Sequence, residues 1–260
     1  MNAKADYKYP DKDDKATQIG VNASEPYAGY WQESEEYVLR FVDDMLKTRK
    51  RDALLDIGCG NGRLTRRYAR YFNRTVALDP DDSRLKKAEA ICKSQSLSGV
   101  ACVQENFIEA SLTDASFDVV ICSHVIQHIP SHEVNAFIAK IWRVLKKDGV
   151  LVLLTTHSRK RHSVYLAAYV EAGKLVEPVI PELQFNELCE IPGDILPCCL
   201  FSLRKLREHL QEFRIARMRV FHALHKMNPI DKFVFRDRII NLPLIRRYSG
   251  EDVFVLAVKQ

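Results

Sequence analysis

The chain has 260 residues, a net charge of +5 and 47% apolar residues, enough for one core of ordinary size and one domain with insertions. No stretch approaches the roughly 18 apolar residues of a membrane-spanning helix, and the opening "MNAKADYKYPDKDDKATQIG" is too polar for a signal peptide, so a cytoplasmic protein is expected. The seven cysteines are odd in number, scattered and without a CxxC pair, which reads as reduced thiols rather than a disulfide framework; Cys189, Cys198 and Cys199 lack zinc spacing, and no metal site is expected.

In chain order, residues 28–46 read as an amphipathic helix with Tyr27, Tyr30 and Trp31 at its entry. Five apolar runs of strand length follow, at 53–58, 75–79, 100–104, 117–123 and 150–156. Helical patterns lie between them at 62–72, 83–95 and 131–147. In the last, Val134, Phe137, Ile138, Ile141, Val144 and Leu145 form one buried face. Near-continuous apolar strands alternating with helices predict a doubly wound α/β sheet of about seven strands, mostly parallel, whose ligands bind beyond the carboxyl ends of the strands.

The segment "LLDIGCGNGRLT" (54–65) ends the first strand run on Asp56 and then places Gly58, Gly60 and Gly62 in five positions. Glycines there allow a sharp turn and a close approach to a ligand, and the next helix presents its N-terminal NH groups. A phosphate loop needs Gly-Lys-Ser/Thr, whereas Arg63 and Leu64 follow Gly62. A dinucleotide fingerprint needs a glycine where Arg63 stands, so both readings are weak. Asp79, 23 residues after Asp56 at the end of the second strand run, is placed to accept from both hydroxyls of a ribose, while Asp81, Asp82 and Ser83 can cap the following helix.

With "LLDIGCGNG", "ALDPDD", "ENFIEASLTDASFDVVICSHVIQHI" and "WRVLKKDGVLVLL" in this order over Leu54–Leu154, the sequence resembles the class I S-adenosylmethionine-dependent methyltransferases of the small-molecule type. The resemblance implies a Rossmann-like sheet with an antiparallel C-terminal strand and S-adenosylmethionine as cofactor. It places Gly58, Gly60 and Gly62 along the methionine part, Asp56 at the ammonium end and Asp79 on the ribose, with Cys59, Pro80 and Ser123 in the same site. Where the family usually has an acid for the adenine amino group, this chain has Asn106, whose amide oxygen is an acceptor, followed by Phe107, which offers its backbone NH or its ring. His124 and His157 follow the fourth and fifth strand runs and are the candidates for a general base; His157 stands in a basic "HSRKRH" stretch that also reads as exposed loop. In the family a segment such as 28–46 often folds over the cofactor, which makes Tyr27, Tyr30 and Trp31 candidates for contact with the acceptor.

This gives a division into a tail and lid helix (1–50), a cofactor-binding core (51–156), a cap insertion (157–201) of mixed helix and loop, and a C-terminal part of the core (202–260) with a second insertion at 225–250. In that last part 202–213 reads as a helix and 214–224 and 252–259 as strands. Residues 201–249 hold twelve Lys and Arg against four acids, a face suited to an acidic metabolite and accompanied by no RNA-binding module. The expected function is methyl transfer to an O, N or S atom of a small molecule, without DNA as partner. The alternatives are an RNA or protein acceptor, or a cofactor-binding module without catalysis.

Overall fold

The computed structural model describes residues 28–47, 51–172, 174–191, 193–221 and 250–260, with 242, 245 and 248. The first half runs α1 (Ala28–Lys47), β1 (Arg51–Ile57), α2 (Arg63–Tyr68), β2 (Phe72–Leu78), α3 (Asp82–Ser94), β3 (Val100–Val103), β4 (Phe117–Ser123), α4 (Val134–Val144) and β5 (Leu145–Thr156). Then come β6 (Val164–Glu171), β7 (Lys174–Val176), β8 (Val179–Ile180), α5 (Glu182–Glu190) and β9 (Leu196–Leu200). The described chain closes with α6 (Leu203–His209), β10 (Phe213–Phe221) and β11 (Asp252–Lys259).

Seven strands form one sheet in the order β10-β11-β5-β4-β1-β2-β3. β1 pairs in parallel with β2 and β4, and β4 with β5; β11 runs antiparallel to both β5 and β10. This is the doubly wound, mostly parallel sheet with one antiparallel C-terminal strand that the sequence predicts. The pleat sends alternate residues of each strand to opposite faces. Leu55, Ile57, Val120, Leu151 and Leu153 meet Phe137, Ile138 and Ile141 of α4 on one face. Leu54, Val119, Val152 and Leu154 meet Val38, Leu39 and Val42 of α1 on the other. The described part of α1 is therefore a core helix. Glu35 pairs with Arg63, and Glu36 and Asp43 with Arg67, fastening α1 to α2.

Two stretches differ from expectation. Leu145 begins β5, although it continues the apolar helical spacing of α4, because its backbone enters the ladder against Phe117. In the cap, β6 pairs antiparallel with β7, β8 and β9 to make a second, four-stranded sheet. The alanines of "VYLAAYVEA" have helical propensity, and burial of Val164, Leu166, Ala167 and Ala168 overrides it. The cap is not a detached flap: Phe185 of α5, Cys199 and Phe201 belong to the same core cluster as α4 and β5. Phe185 is fully buried, its ring 4.9 Å from that of Tyr165. Phe185→Ala is expected to cost about 3–5 kcal/mol, lowering the thermal midpoint on the order of 10 °C; an unchanged midpoint would show a cap that packs independently of the core.

Candidate active site

β1 and β4 end side by side, and the glycine loop leaves β1 at this rim. Gly58, Gly60 and Gly62 have φ of 63°, 52° and 77°, the left-handed region in which a side chain is strained. A β-carbon on Gly58 would overlap Val125, and one on Gly62 would stand 2.9 Å from that of Ala88. The loop is pinned across the sheet by Gly58 and Cys59, whose NH groups both donate to Leu78 O, at 2.7 and 3.1 Å.

Two carboxylates face this loop from inside. Asp79, 5% exposed, accepts from Gly60 N at 2.7 Å through one oxygen and from Asp81 N at 2.9 Å through the other. Asp81, one of the three residues the sequence offers as a cap, caps α3 by accepting from Arg84 N, so Asp79 is not needed for that task. Asp56, 2% exposed, accepts from Thr65 Oγ1 at 2.5 Å. Burial, against the counteracting hydrogen bond from Thr65 and the charge of Arg63, pushes its carboxyl up to about 6, with Asp79 adding repulsion. Asp79 is raised by burial as well. The Cys59 thiol is pushed up by the same burial and the same two acids, so it stays neutral and lines the loop without acting as a nucleophile.

The raised Asp56 has a consequence for stability. Between about pH 4 and 6 the folded chain holds a proton that the unfolded chain has released, so stability falls as pH rises through this window. The full cost, on the order of 3 kcal/mol, is reached above pH 6. Asp56→Asn is therefore expected to raise the thermal midpoint at pH 8 and to leave it nearly unchanged at pH 4, while weakening cofactor binding. An equal effect on the midpoint at both pH values would contradict this.

The other candidates separate clearly. Ser123 ends β4 with a buried Oγ that has no hydrogen-bond partner among the described residues. Pro80 follows Asp79 and accepts from Gln104 through its carbonyl at 3.5 Å. Asn106 lies after β3, exposed, and its Oδ1 accepts from Ile108 N at 3.0 Å, which leaves one lone pair of that oxygen for a ligand. The Phe107 ring is in the core, 4.8 Å from that of Phe137, so the ring-packing alternative is closed and the backbone NH is what this residue can offer. Tyr27 lies outside the described residues, as do the side chains of Tyr30 and Trp31, whose backbone is in the first turn of α1.

Hydrogen bonding sorts the histidines. Thr155 Oγ1 donates to Gln127 Oε1 at 2.9 Å, and Gln127 Nε2 donates to His124 Nδ1 at 3.2 Å. The neutral His124 ring then carries its proton on Nε2 and presents a donor. Its backbone is left-handed, φ 56°, and its NH donates to Leu154 O. His157 is 2% exposed, not an exposed loop residue; its Nδ1 donates to Gly250 O at 3.1 Å, which places the neutral ring's lone pair on Nε2. His128 bonds Pro197 O at 2.6 Å, and burial lowers it to about 4; it ties the β4–α4 turn to the cap as a neutral ring. The sequence reading passed over Thr65, Gln127 and Thr155, whose roles come from cross-strand neighbours with no local motif. It also passed over Arg84, whose guanidinium lies 3.3 Å from where a Gly60 β-carbon would be.

The rim of the parallel sheet thus brings together a glycine turn, two buried acids and an orphan hydroxyl. Residues 55–153 match a family model described as "Methyltransferase domain". The chain is 25% identical over 130 residues to the ubiquinone biosynthesis O-methyltransferase of Rickettsia canadensis, a match covering 48% of this chain and 52% of that protein. It is 28% identical over 117 residues to the probable methyltransferase ltbC of Aspergillus luteorubrus, covering 42% and 41%. Its matches thus span about half the length of these curated relatives. A crystal structure of the Burkholderia thailandensis 1,6-didemethyltoxoflavin-N1-methyltransferase, solved with S-adenosylhomocysteine, superposes with a TM-score of 0.57 at 14% identity, covering 95% of this chain and 85% of that one. Over residues 55–153 the chain is thus similar to a methyltransferase domain, and its fold is shared with S-adenosylmethionine-dependent methyltransferases of known structure. Among the described residues no helix is long and apolar enough to cross a membrane.

Proposed function

We propose that the protein transfers a methyl group from S-adenosylmethionine to an O, N or S atom of a small metabolite. The observation that carries this reading is the pair of buried acids at the glycine loop, Asp56 and Asp79, both raised by desolvation. Such a pair favours an ammonium and ribose hydroxyls and disfavours phosphate. When bound, S-adenosylmethionine supplies a methyl group activated by its positive sulfur.

The chain's residues do the rest by alignment. Asp79, already fixed by two backbone NH groups, accepts from the ribose hydroxyls. Asp56 faces the ammonium end, and Gly58, Gly60 and Gly62 allow the backbone to close on the methionine part. Ser123 Oγ, Pro80 and the Phe107 NH border the adenosine, with Asn106 accepting from its amino group. His124 Nε2 donates to the acceptor, and His157 Nε2 takes the proton that a hydroxyl acceptor must lose. Tyr27, Tyr30 and Trp31 and the cap at 157–201 border the acceptor and select it.

Incubation with methyl-labelled S-adenosylmethionine and fractionated metabolites tests the reading. Label is expected in a small-molecule fraction. Label confined to RNA or protein would replace the acceptor class, and tight cofactor binding with no labelled product in any fraction would make the protein a non-catalytic binding module.

A further inference from the structure

The rim carries a second concavity that the cofactor reading does not use. After β5 the chain makes a tight turn through residues 157–163, held by Ser158: its Oγ donates to His162 O at 2.9 Å and accepts from Lys160 N at 3.1 Å. The turn is fastened to the chain after β9, because Ser158 N donates to Phe201 O at 2.8 Å and Ser202 N to Ser163 Oγ at 3.2 Å. Between the turn and the start of α6 lies a cleft of about 470 Å³. Its walls carry Lys160, Arg161, His162 and Arg204, and its floor is made by His157, Ser158 and Ser202.

No acidic side chain among the described residues lines this cleft. The neighbouring cation Arg159 is already paired with Glu251 at 2.9 Å and is not part of the wall. Arg204 shares Glu208 with Lys205 on the exposed side of α6, at 3.6 and 3.8 Å, a contact of the solvent-screened kind worth little. Three cationic side chains thus border a concave space in whose floor Ser202, its Oγ already accepting from Lys205 N, has a hydroxyl proton to donate, and the mutual repulsion of the cations is relieved by an anion.

We propose that this cleft is an oxyanion subsite that holds a phosphate or carboxylate group of the methyl acceptor. The inference rests on the methyl-transfer reading for the identity of the ligand's other end. Strand order sets the scale: β5 is two strands from β1, and strands are spaced about 4.8 Å, so the end of β5, from which the 157–163 turn leaves, lies roughly 10 Å along the rim from the end of β1. That separation suits a compact acidic metabolite reaching from the transferred methyl, past His157, to the cationic walls. It accounts for a basic cleft beside a loop whose own acids repel anions.

The test titrates the full chain with inorganic phosphate and with acetate, at ionic strength held constant with chloride, and follows the thermal midpoint and calorimetric heat. S-adenosylhomocysteine is titrated in parallel. Saturable phosphate or acetate binding is expected, which of the two binds more tightly naming the group. In Lys160→Gln/Arg161→Gln/Arg204→Gln the anion affinity is expected to fall at least tenfold while S-adenosylhomocysteine affinity stays within twofold. Arg161→Gln alone, at an exposed position, is expected to give a smaller loss and guards against a folding defect in the triple variant. Anion binding equal in wild type and triple variant, or a wild-type response that chloride reproduces, overturns the proposal. Failure of S-adenosylhomocysteine to bind wild type would strike the cofactor reading alone and leave the anion result to be judged by the same criteria.

Discussion

On a hydroxyl acceptor, His157→Ala is expected to lower turnover about 10²–10⁴-fold with little change in cofactor affinity. The reasoning is tautomeric. A general base needs a lone pair; in His157 the carbonyl of Gly250 can only accept, so Nδ1 carries the proton and the lone pair lies on Nε2, which is buried in this structure and reaches an acceptor only when the site opens. The ring also forms part of the floor of the rim cleft. His124 has the opposite arrangement, because the Gln127 amide donates to its Nδ1. His124→Ala is therefore expected to act chiefly on KM, through loss of a donor to the acceptor, with a smaller effect on kcat. Steady-state kinetics of the two variants over pH 5–9 checks both. Wild-type turnover and an unchanged pH profile in His157→Ala would remove it as the base, and the reverse ranking of the two variants would assign the role to His124.

Asp79→Ala is expected to weaken S-adenosylhomocysteine binding by about 1–3 kcal/mol, or roughly 5- to 150-fold in Kd. Each oxygen of Asp79 already accepts one backbone NH, from Gly60 and from Asp81. The carboxylate is thereby oriented before a ligand arrives, with further lone pairs on its two oxygens for hydroxyl donors. The substitution removes the ribose contacts and releases Gly60 N together. Asp79→Asn keeps one acceptor oxygen and is expected to lose less. Calorimetric titration of both variants measures this; an unchanged Kd in Asp79→Ala would place the ribose elsewhere.

The sheet was legible because its signals are local. Uninterrupted apolar runs such as "VVIC" and "LVLLTT" are buried on both faces, and each glycine of 58–62 marks a turn that its positive φ confirms. The cap was less legible because "VYLAAYVEA" has the composition of a helix, and its strand state depends on pairing with residues 196–200, about thirty positions on. Within the site, Asp56 and Asp79 could be read from motif and spacing. The inward turn of the Phe107 ring could not, since it is decided by packing against Phe137 of α4. His157 sits among basic residues that suggest an exposed loop, and its burial comes from the backbone of Gly250 and Glu251, more than ninety residues away.

The central claim, that the glycine loop with Asp56 and Asp79 holds S-adenosylmethionine, is tested most directly by calorimetric titration of the full chain with S-adenosylmethionine, S-adenosylhomocysteine and NADH at the same ionic strength. Binding of both S-adenosyl compounds at one site per chain, with no heat from NADH, is the predicted result. Tight NADH binding with no response to either S-adenosyl compound would contradict it.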